Sequence, residues 1–161
     1  KFFEDSTRIY VAVRYQVGGG DQAWLPLTDS QQRKMAMVID MYTNAADQGH
    51  AGAQSILGSI HFSGKGVAQD HKKAVQWYRK AAYQGDARAQ TNLGTAYYVA
   101  KGVAQDLHKA AQWFRKAADQ GDANAQFNVG VIYRSGEGVD QDLKKAAQWF
   151  QKSADQGFVS A

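Results

Sequence analysis

Residues 87–122 read ARAQTNLGTAYYVAKGVAQDLHKAAQWFRKAADQGD, and this stretch decides the fold because it recurs on both sides without a gap. Residues 51–86 (AGAQSILGSIHFSGKGVAQDHKKAVQWYRKAAYQGD) and 123–158 (ANAQFNVGVIYRSGEGVDQDLKKAAQWFQKSADQGF) repeat it at a period of 36 residues. A fixed period of this size marks a stacked array whose units bury their apolar faces against their neighbours.

Each unit divides into two apolar segments at helical spacing, joined by a short glycine loop. Ala89, Leu93 and Tyr97 stand at i, i+4 and i+8, as do Ala53, Leu57, His61 and Ala125, Val129, Tyr133. They make one face of a first helix. Ala110, Trp113, Phe114, Ala117 and Ala118 form the apolar stripe of a second helix, matched by Ala74, Trp77, Tyr78, Ala81, Ala82 and by Ala146, Trp149, Phe150, Ser153, Ala154. Gly58, Gly94 and Gly130 recur inside the first helix, where glycine costs about 1 kcal/mol relative to alanine. That recurring cost predicts close approach of the paired helix. Asp70, Asp106 and Asp142 are placed to cap the second helices, and Asp86 and Asp122 to cap the following first helices. Gly85, Gly121 and Gly157 close each second helix. Gly64-x-Gly66 and Gly136-x-Gly138 supply positive φ after the first helix. Ala100 replaces the first of these glycines in the middle unit, which predicts that positive φ is not required there.

The pattern AxAQxxLGxxY, GxGVxxD, KAxxW(Y/F)xKAAxQG resembles the Sel1-like repeat, a relative of the tetratricopeptide repeat, over residues 51–158. Periodicity alone yields a stack of helical hairpins. The resemblance implies more: an all-α, right-handed α-solenoid of antiparallel hairpins, acting as a non-catalytic interaction scaffold without a cofactor. Its first helices would line a concave groove for a protein partner, and adaptors, inhibitors or immunity-type proteins are the implied roles.

Outside the repeats the reading is less regular. Met41 and Tyr42 lie 36 residues before Trp77 and Tyr78, so residues 30–46 are expected to form another second helix. Residues 1–50 are then a degenerate hairpin with a long loop at residues 21–29. Its upstream helix would use Thr7, Val11, Ala12 and Tyr15, and the alternation over residues 9–17 is the competing strand pattern. Residues 159–161 lie where a further first helix would start, which predicts incomplete cover for Trp149 and Phe150 and makes that end a candidate for self-association.

Composition agrees with one folded unit. The chain has 161 residues, 44% of them apolar and 21% charged, with one proline and sixteen glycines. Nineteen basic against fifteen acidic residues leave a net charge of +4. The absence of cysteine excludes disulfides, thiolate metal sites and a cysteine nucleophile. No apolar run approaches the roughly 18 residues of a membrane span. The chain begins with Lys1 rather than methionine; removal of a signal peptide would make the protein exported or periplasmic, and otherwise it would be cytoplasmic.

Enzymatic readings fail on context. Gly18-x-Gly20-x-x-Ala23, with Asp40 downstream, fits a dinucleotide-binding glycine pattern, but Pro26 interrupts the helix that should follow. Of the four histidines, His61 occupies a column filled by Tyr97 and Tyr133, which marks a packing residue, and His71 and His108 are expected on the outer side of second helices. No metal site is expected. The repeated aspartates have one role three times over, as caps. Nucleic-acid binding is not expected either, because the recurrent tryptophans sit at core spacing and Lys80, Lys116 and Lys152 lie on second helices.

Columns that differ between units separate surface from scaffold. They concentrate on one face of the first helix, at Gly52/Arg88/Asn124, Ser55/Thr91/Phe127, Ser59/Thr95/Val131 and Phe62/Tyr98/Arg134. From these, Phe62, Arg88, Thr91, Thr95, Tyr98, Asn124, Phe127, Val131 and Arg134 are the expected partner-binding residues. Trp24, Leu25 and Leu27 at the tip of the long loop are a secondary candidate. A second functional class is the regulatory or interaction region of a longer polypeptide, catalytic or not.

Overall fold

The computed structural model describes residues 28–158. Within them lie seven α-helices: α1 (Asp29–Asp47), α2 (Ala51–Ser63), α3 (His71–Tyr83), α4 (Ala87–Tyr98), α5 (Leu107–Asp119), α6 (Ala123–Ser135) and α7 (Leu143–Asp155). Helices α2/α3, α4/α5 and α6/α7 form hairpins, and each second helix also packs on the next first helix, so the hairpins stack in chain order. This is an α-solenoid. The expected second helix over residues 30–46 is α1, while the upstream helix or strand, the loop tip and residues 159–161 lie outside the described residues.

Helix boundaries follow from local chemistry. Thr28 starts α1 with a capping box shared with Gln31. The carboxylates of Asp70, Asp106 and Asp142 each accept the backbone N–H three residues on at 2.9 Å. Asp86 and Asp122 do the same for α4 and α6 at 2.7 and 2.8 Å. Gly64 and Gly136 end α2 and α6 in the left-handed conformation, at φ 70° and 75°. Ala100 corrects the sequence expectation: it too has positive φ, 56°. The loop geometry is shared by all three units, so the middle unit holds an alanine where a Cβ is strained.

Each recurrent helix glycine faces an aromatic ring on its partner helix. A Cβ at Gly58, Gly94 or Gly130 would fall 2.4, 2.8 or 2.6 Å from the ring of Tyr78, Phe114 or Phe150. Alanines fill the rest of the seam: Ala74, Ala81, Ala89, Ala110, Ala117 and Ala125 are fully buried. Small side chains on both helices allow tight approach, and the large rings close what remains.

A polar ladder runs through this core. The buried amide of Gln90 donates to Ala82 O of the preceding hairpin at 3.1 Å and accepts from Gln120 Nε2 at 2.8 Å. Gln54 and Gln126 repeat both bonds with Ala46, Gln84 and with Ala118, Gln156. Burying these amides is tolerable because their partners come from the backbone carbonyls and glutamines of adjacent helices.

Two further expectations are revised. Trp149 is only 8% exposed, covered within the chain, with the Arg115 guanidinium 5.2 Å and the Lys152 ammonium 4.2 Å from its ring. Phe150 is half-buried. His71 is not on an outer surface: it is half-buried with its ring 4.7 Å from that of Phe62, whereas His108 is exposed. His61 is buried as a packing residue, and burial, then the Lys73 ammonium, hold its imidazole below the ordinary histidine value. Its column explains the identity. Arg79 and Arg115 donate to the hydroxyls of Tyr97 and Tyr133 one hairpin on, but Thr43 stands 36 residues before Arg79, so no guanidinium reaches His61 from there.

Candidate partner-binding groove

The face of α2, α4 and α6 turned away from the hairpin seams carries two clefts. One, of about 330 Å³, lies between α4 and α6 and is lined by Arg88, Thr91, Asn92 and Thr95 with Asn124 and Asn128. The other, of about 500 Å³, lies between α2 and α4, where Ser59, Ile56, Ile60 and Phe62 face Arg88 and Asn92. Arg88 and Asn92 border both, so the clefts adjoin across α4.

Arg88 sits in the first turn of α4, exposed, and its guanidinium makes no hydrogen bond or ion pair with a described residue. The hydroxyl of Thr91 lies 3.0 Å from Ala87 O and 3.1 Å from the Asp122 carboxylate, its one proton shared between the two acceptors, which ties the cap of α6 to α4. Thr95 donates to Thr91 O. These threonines shape the cleft floor with their donors already used. The side-chain amides of Asn92 and Asn128 are half-buried and bond to no described residue.

Five of the nine residues expected to bind a partner are therefore brought together: Phe62, Arg88, Thr91, Thr95 and Asn124. Tyr98, Phe127, Val131 and Arg134 border neither cleft. Phe62 is half-buried between the His71 ring and the Lys101 ammonium, 5.6 Å from its centroid. Tyr98, at the same register one unit later, donates its hydroxyl to the Glu137 carboxylate; that bond, then burial, push its phenol above the usual value. Phe127 is half-buried against Phe150 and Phe158 at 5.3 and 5.6 Å, so packing accounts for part of its apolar surface. Arg134 is exposed with its guanidinium 5.7 Å from the Phe150 ring. Trp24, Leu25 and Leu27 lie outside the described residues.

Sequence reasoning passed over Asn92 and Asn128. Their column reads Ile56/Asn92/Asn128, and the available signal was asparagine recurring inside a helix despite poor intrinsic propensity. No group of acidic or histidine side chains able to hold a metal ion occurs among the described residues. None of the described helices is long and apolar enough to cross a membrane. A third hollow, of about 460 Å³, lies along the α5–α6 seam with core residues Ala111, Val129 and Ile132 as its floor.

Comparison with known proteins places these features in context. The family model described as Sel1 repeat matches residues 51–86, 87–122 and 123–158. A protective antigen present in uropathogenic Escherichia coli strains, displaying an SLR fold, is similar at 40% identity and a TM-score of 0.75, covering 77% of this chain and 27% of that one. A Sel1 repeat protein from Oxalobacter formigenes is 35% identical with a TM-score of 0.70, over 74% of this chain and 49% of that one. Cysteine rich protein B of Helicobacter pylori is 26% identical with a TM-score of 0.62, over 79% and 91%. The chain thus spans about a quarter and about half of the first two relatives. No curated protein matches it in sequence.

Proposed function

Because this chain belongs to the Sel1 repeat family, whose arrays serve in protein–protein interaction, we propose that it is a non-catalytic scaffold that holds a protein partner along the open face of α2, α4 and α6. The observation that carries this reading is the pair of adjoining clefts bridged by Arg88 and Asn92, whose polar groups have no partner among the described residues. Polar groups left unpaired on a preformed surface lose little on desolvation when a ligand supplies their bonds. Phe127, Val131 and Arg134 extend the same face toward the C-terminal hairpin.

The test is a random dodecapeptide library selected on the folded chain, followed by nuclear magnetic resonance mapping of the bound peptides. Shifts confined to Arg88, Asn92, Thr95, Asn124 and Asn128 are expected. Shifts confined to the outer surfaces of α3, α5 and α7 would overturn the groove assignment. The C-terminal extension fails if the Phe127→Ala, Arg134→Ala double variant binds the selected peptides unchanged.

A further inference from the structure

We infer that the exposed outer face of α3, α5 and α7, which takes no part in the groove, docks on an anionic phospholipid surface. The first observation is where the charge sits. Helix α3 carries Lys72, Lys73, Arg79 and Lys80 with no acidic residue, and α5 and α7 each carry three basic residues against one aspartate, Asp119 or Asp155. The whole chain nets only +4, so the rest of it is net acidic and the cations are gathered on these helices. Part of this charge is taken up internally: Lys109 pairs with Asp106 at 2.8 Å, Lys145 with Asp142 at 3.2 Å and Arg115 with Asp119 at 3.2 Å. Lys72, Lys80, Lys116, Lys144 and Lys152 are exposed and make no ion pair with a described residue.

The second observation is how three of these cations are held. Lys80, Lys116 and Lys152 recur at the 36-residue period, and their ammoniums lie over the indoles of Trp77, Trp113 and Trp149, at 4.2, 4.5 and 4.2 Å from the ring centroids. A cation–π contact keeps the charge while tethering the side chain. The stack therefore sets one positioned cation per hairpin in a row across packed helices, whose axes lie about 8–10 Å apart. A layer of lipid headgroups presents anions over a plane and meets such a row without a shape match, each lysine near the surface adding about fivefold in affinity.

The third observation separates lipid from nucleic acid, the competing polyanion. Successive bases stack on a series of open rings, but Trp113 and Trp149 are 9% and 8% exposed and already lie under lysine ammoniums. That leaves Tyr83, 77% exposed, as the one exposed ring of these three helices. What the face offers besides charge is aliphatic and interfacial. The hollow of about 460 Å³ bordered by His108, Arg115 and Lys116 has Ala111, Val129 and Ile132 as its floor, a lining suited to hydrocarbon. Tyr83 ends α3 one turn after Lys80, its ring 5.4 Å from that of Trp113. Tyrosine beside lysine is the pairing of a membrane–water boundary, where the ring enters the headgroup layer and the ammonium stays in water.

The experiment is co-sedimentation of the full chain with phosphatidylcholine vesicles in which about a third of the lipid is phosphatidylglycerol. Binding is expected there and not to phosphatidylcholine alone, and it should fall at least tenfold on raising salt to about 1 M, where the screening length is about 3 Å. The triple variant Lys80→Gln, Lys116→Gln, Lys152→Gln removes the tryptophan-held row and should weaken binding at least about tenfold. It also loses three ring contacts, so far-ultraviolet circular dichroism checks its fold, and a second variant, Lys72→Glu, Lys144→Glu, tests the charge alone. Those two side chains touch no ring or acid among the described residues, and helix N-termini favour the replacements, so a loss of similar size is expected with the core intact. No binding to the anionic vesicles, equal binding to neutral ones, or folded variants that bind as the parent chain does would overturn the inference. Release from the vesicles by a thymidine dodecanucleotide, at a phosphate concentration equal to or below that of the lipid, would overturn it in favour of nucleic acid.

Discussion

Gly94 faces Phe114 so closely that a Cβ on the glycine would lie 2.8 Å from Cδ1 and Cε1 of the ring and 3.2 Å from Ala110 O. Two effects of opposite sign meet there. Helix propensity favours alanine by about 1 kcal/mol, while overpacking a closed core costs about 1–3 kcal/mol. Phe114 is 3% exposed and one of the opposing atoms is backbone, so the clash wins. Gly94→Ala is expected to destabilise the chain by about 1–2 kcal/mol in thermal or urea unfolding. A raised Tm would show that the ring has room to move.

Ala100 gives the opposite expectation. An L-residue in the left-handed region costs roughly 1–2 kcal/mol, against about 0.5–1 kcal/mol for the greater entropy glycine loses on folding. With φ at 56°, Ala100→Gly should stabilise by about 0.5–1 kcal/mol, and Gly136→Ala at the matching loop position should destabilise. Calorimetry on the two variants checks the sign; a lower Tm for Ala100→Gly is the contrary result.

The glutamine ladder predicts unequal losses from its two ends. Gln90 is 5% exposed and serves Ala82 O and Gln120 together, so Gln90→Leu strands a buried carbonyl and should cost about 1–3 kcal/mol. Gln120 is exposed and water can replace it, so Gln120→Ala should cost about half as much or less. Urea midpoints read both, and equal losses would place the energy in helix contacts instead of the amides.

Acid stability follows from the loop aspartates. The backbone N–H of Lys73 lowers the Asp70 pKa, the Lys109 ammonium that of Asp106, and the backbone N–H of Lys145 that of Asp142. A carboxyl depressed in the folded state contributes stability that is present above its unfolded value, about 3.9, and is lost as pH falls through the folded value. Tm should hold down to about pH 4 and decline below it. Replacing all three by asparagine keeps the capping acceptor and should flatten that decline. An unchanged acid profile would assign the decline to other carboxylates.

The hairpins were legible in the sequence because the same physics is written three times. Ala53, Ala89 and Ala125 recur where a seam must be narrow, and Asp70, Asp106 and Asp142 recur where three N–H groups need an acceptor. The groove was legible only in part. Arg88, Thr91, Thr95 and Asn124 could be found by their variation, but Asn92 and Asn128 could not, because a column that agrees between two units resembles scaffold. Ala100 misled for a related reason: residue type states a preference, while the loop closing α4 onto α5 imposes the backbone angle.

By itself the sequence determined the hairpin helices, their aspartate caps, their pairing and the close helix approach at Gly58, Gly94 and Gly130, since all of these follow from the 36-residue repeat. Only the tertiary structure decided which surface groups are already engaged. Asp122 is tied to Thr91, Glu137 to Tyr98, and Arg115 to Tyr133 across neighbouring hairpins. Arg88 is left without such a bond among the described residues. Those bonds join side chains 18 to 39 positions apart, so they depend on how one hairpin is set against the next. One glycine-closed turn after another fixes that setting, and with it the charge the groove presents.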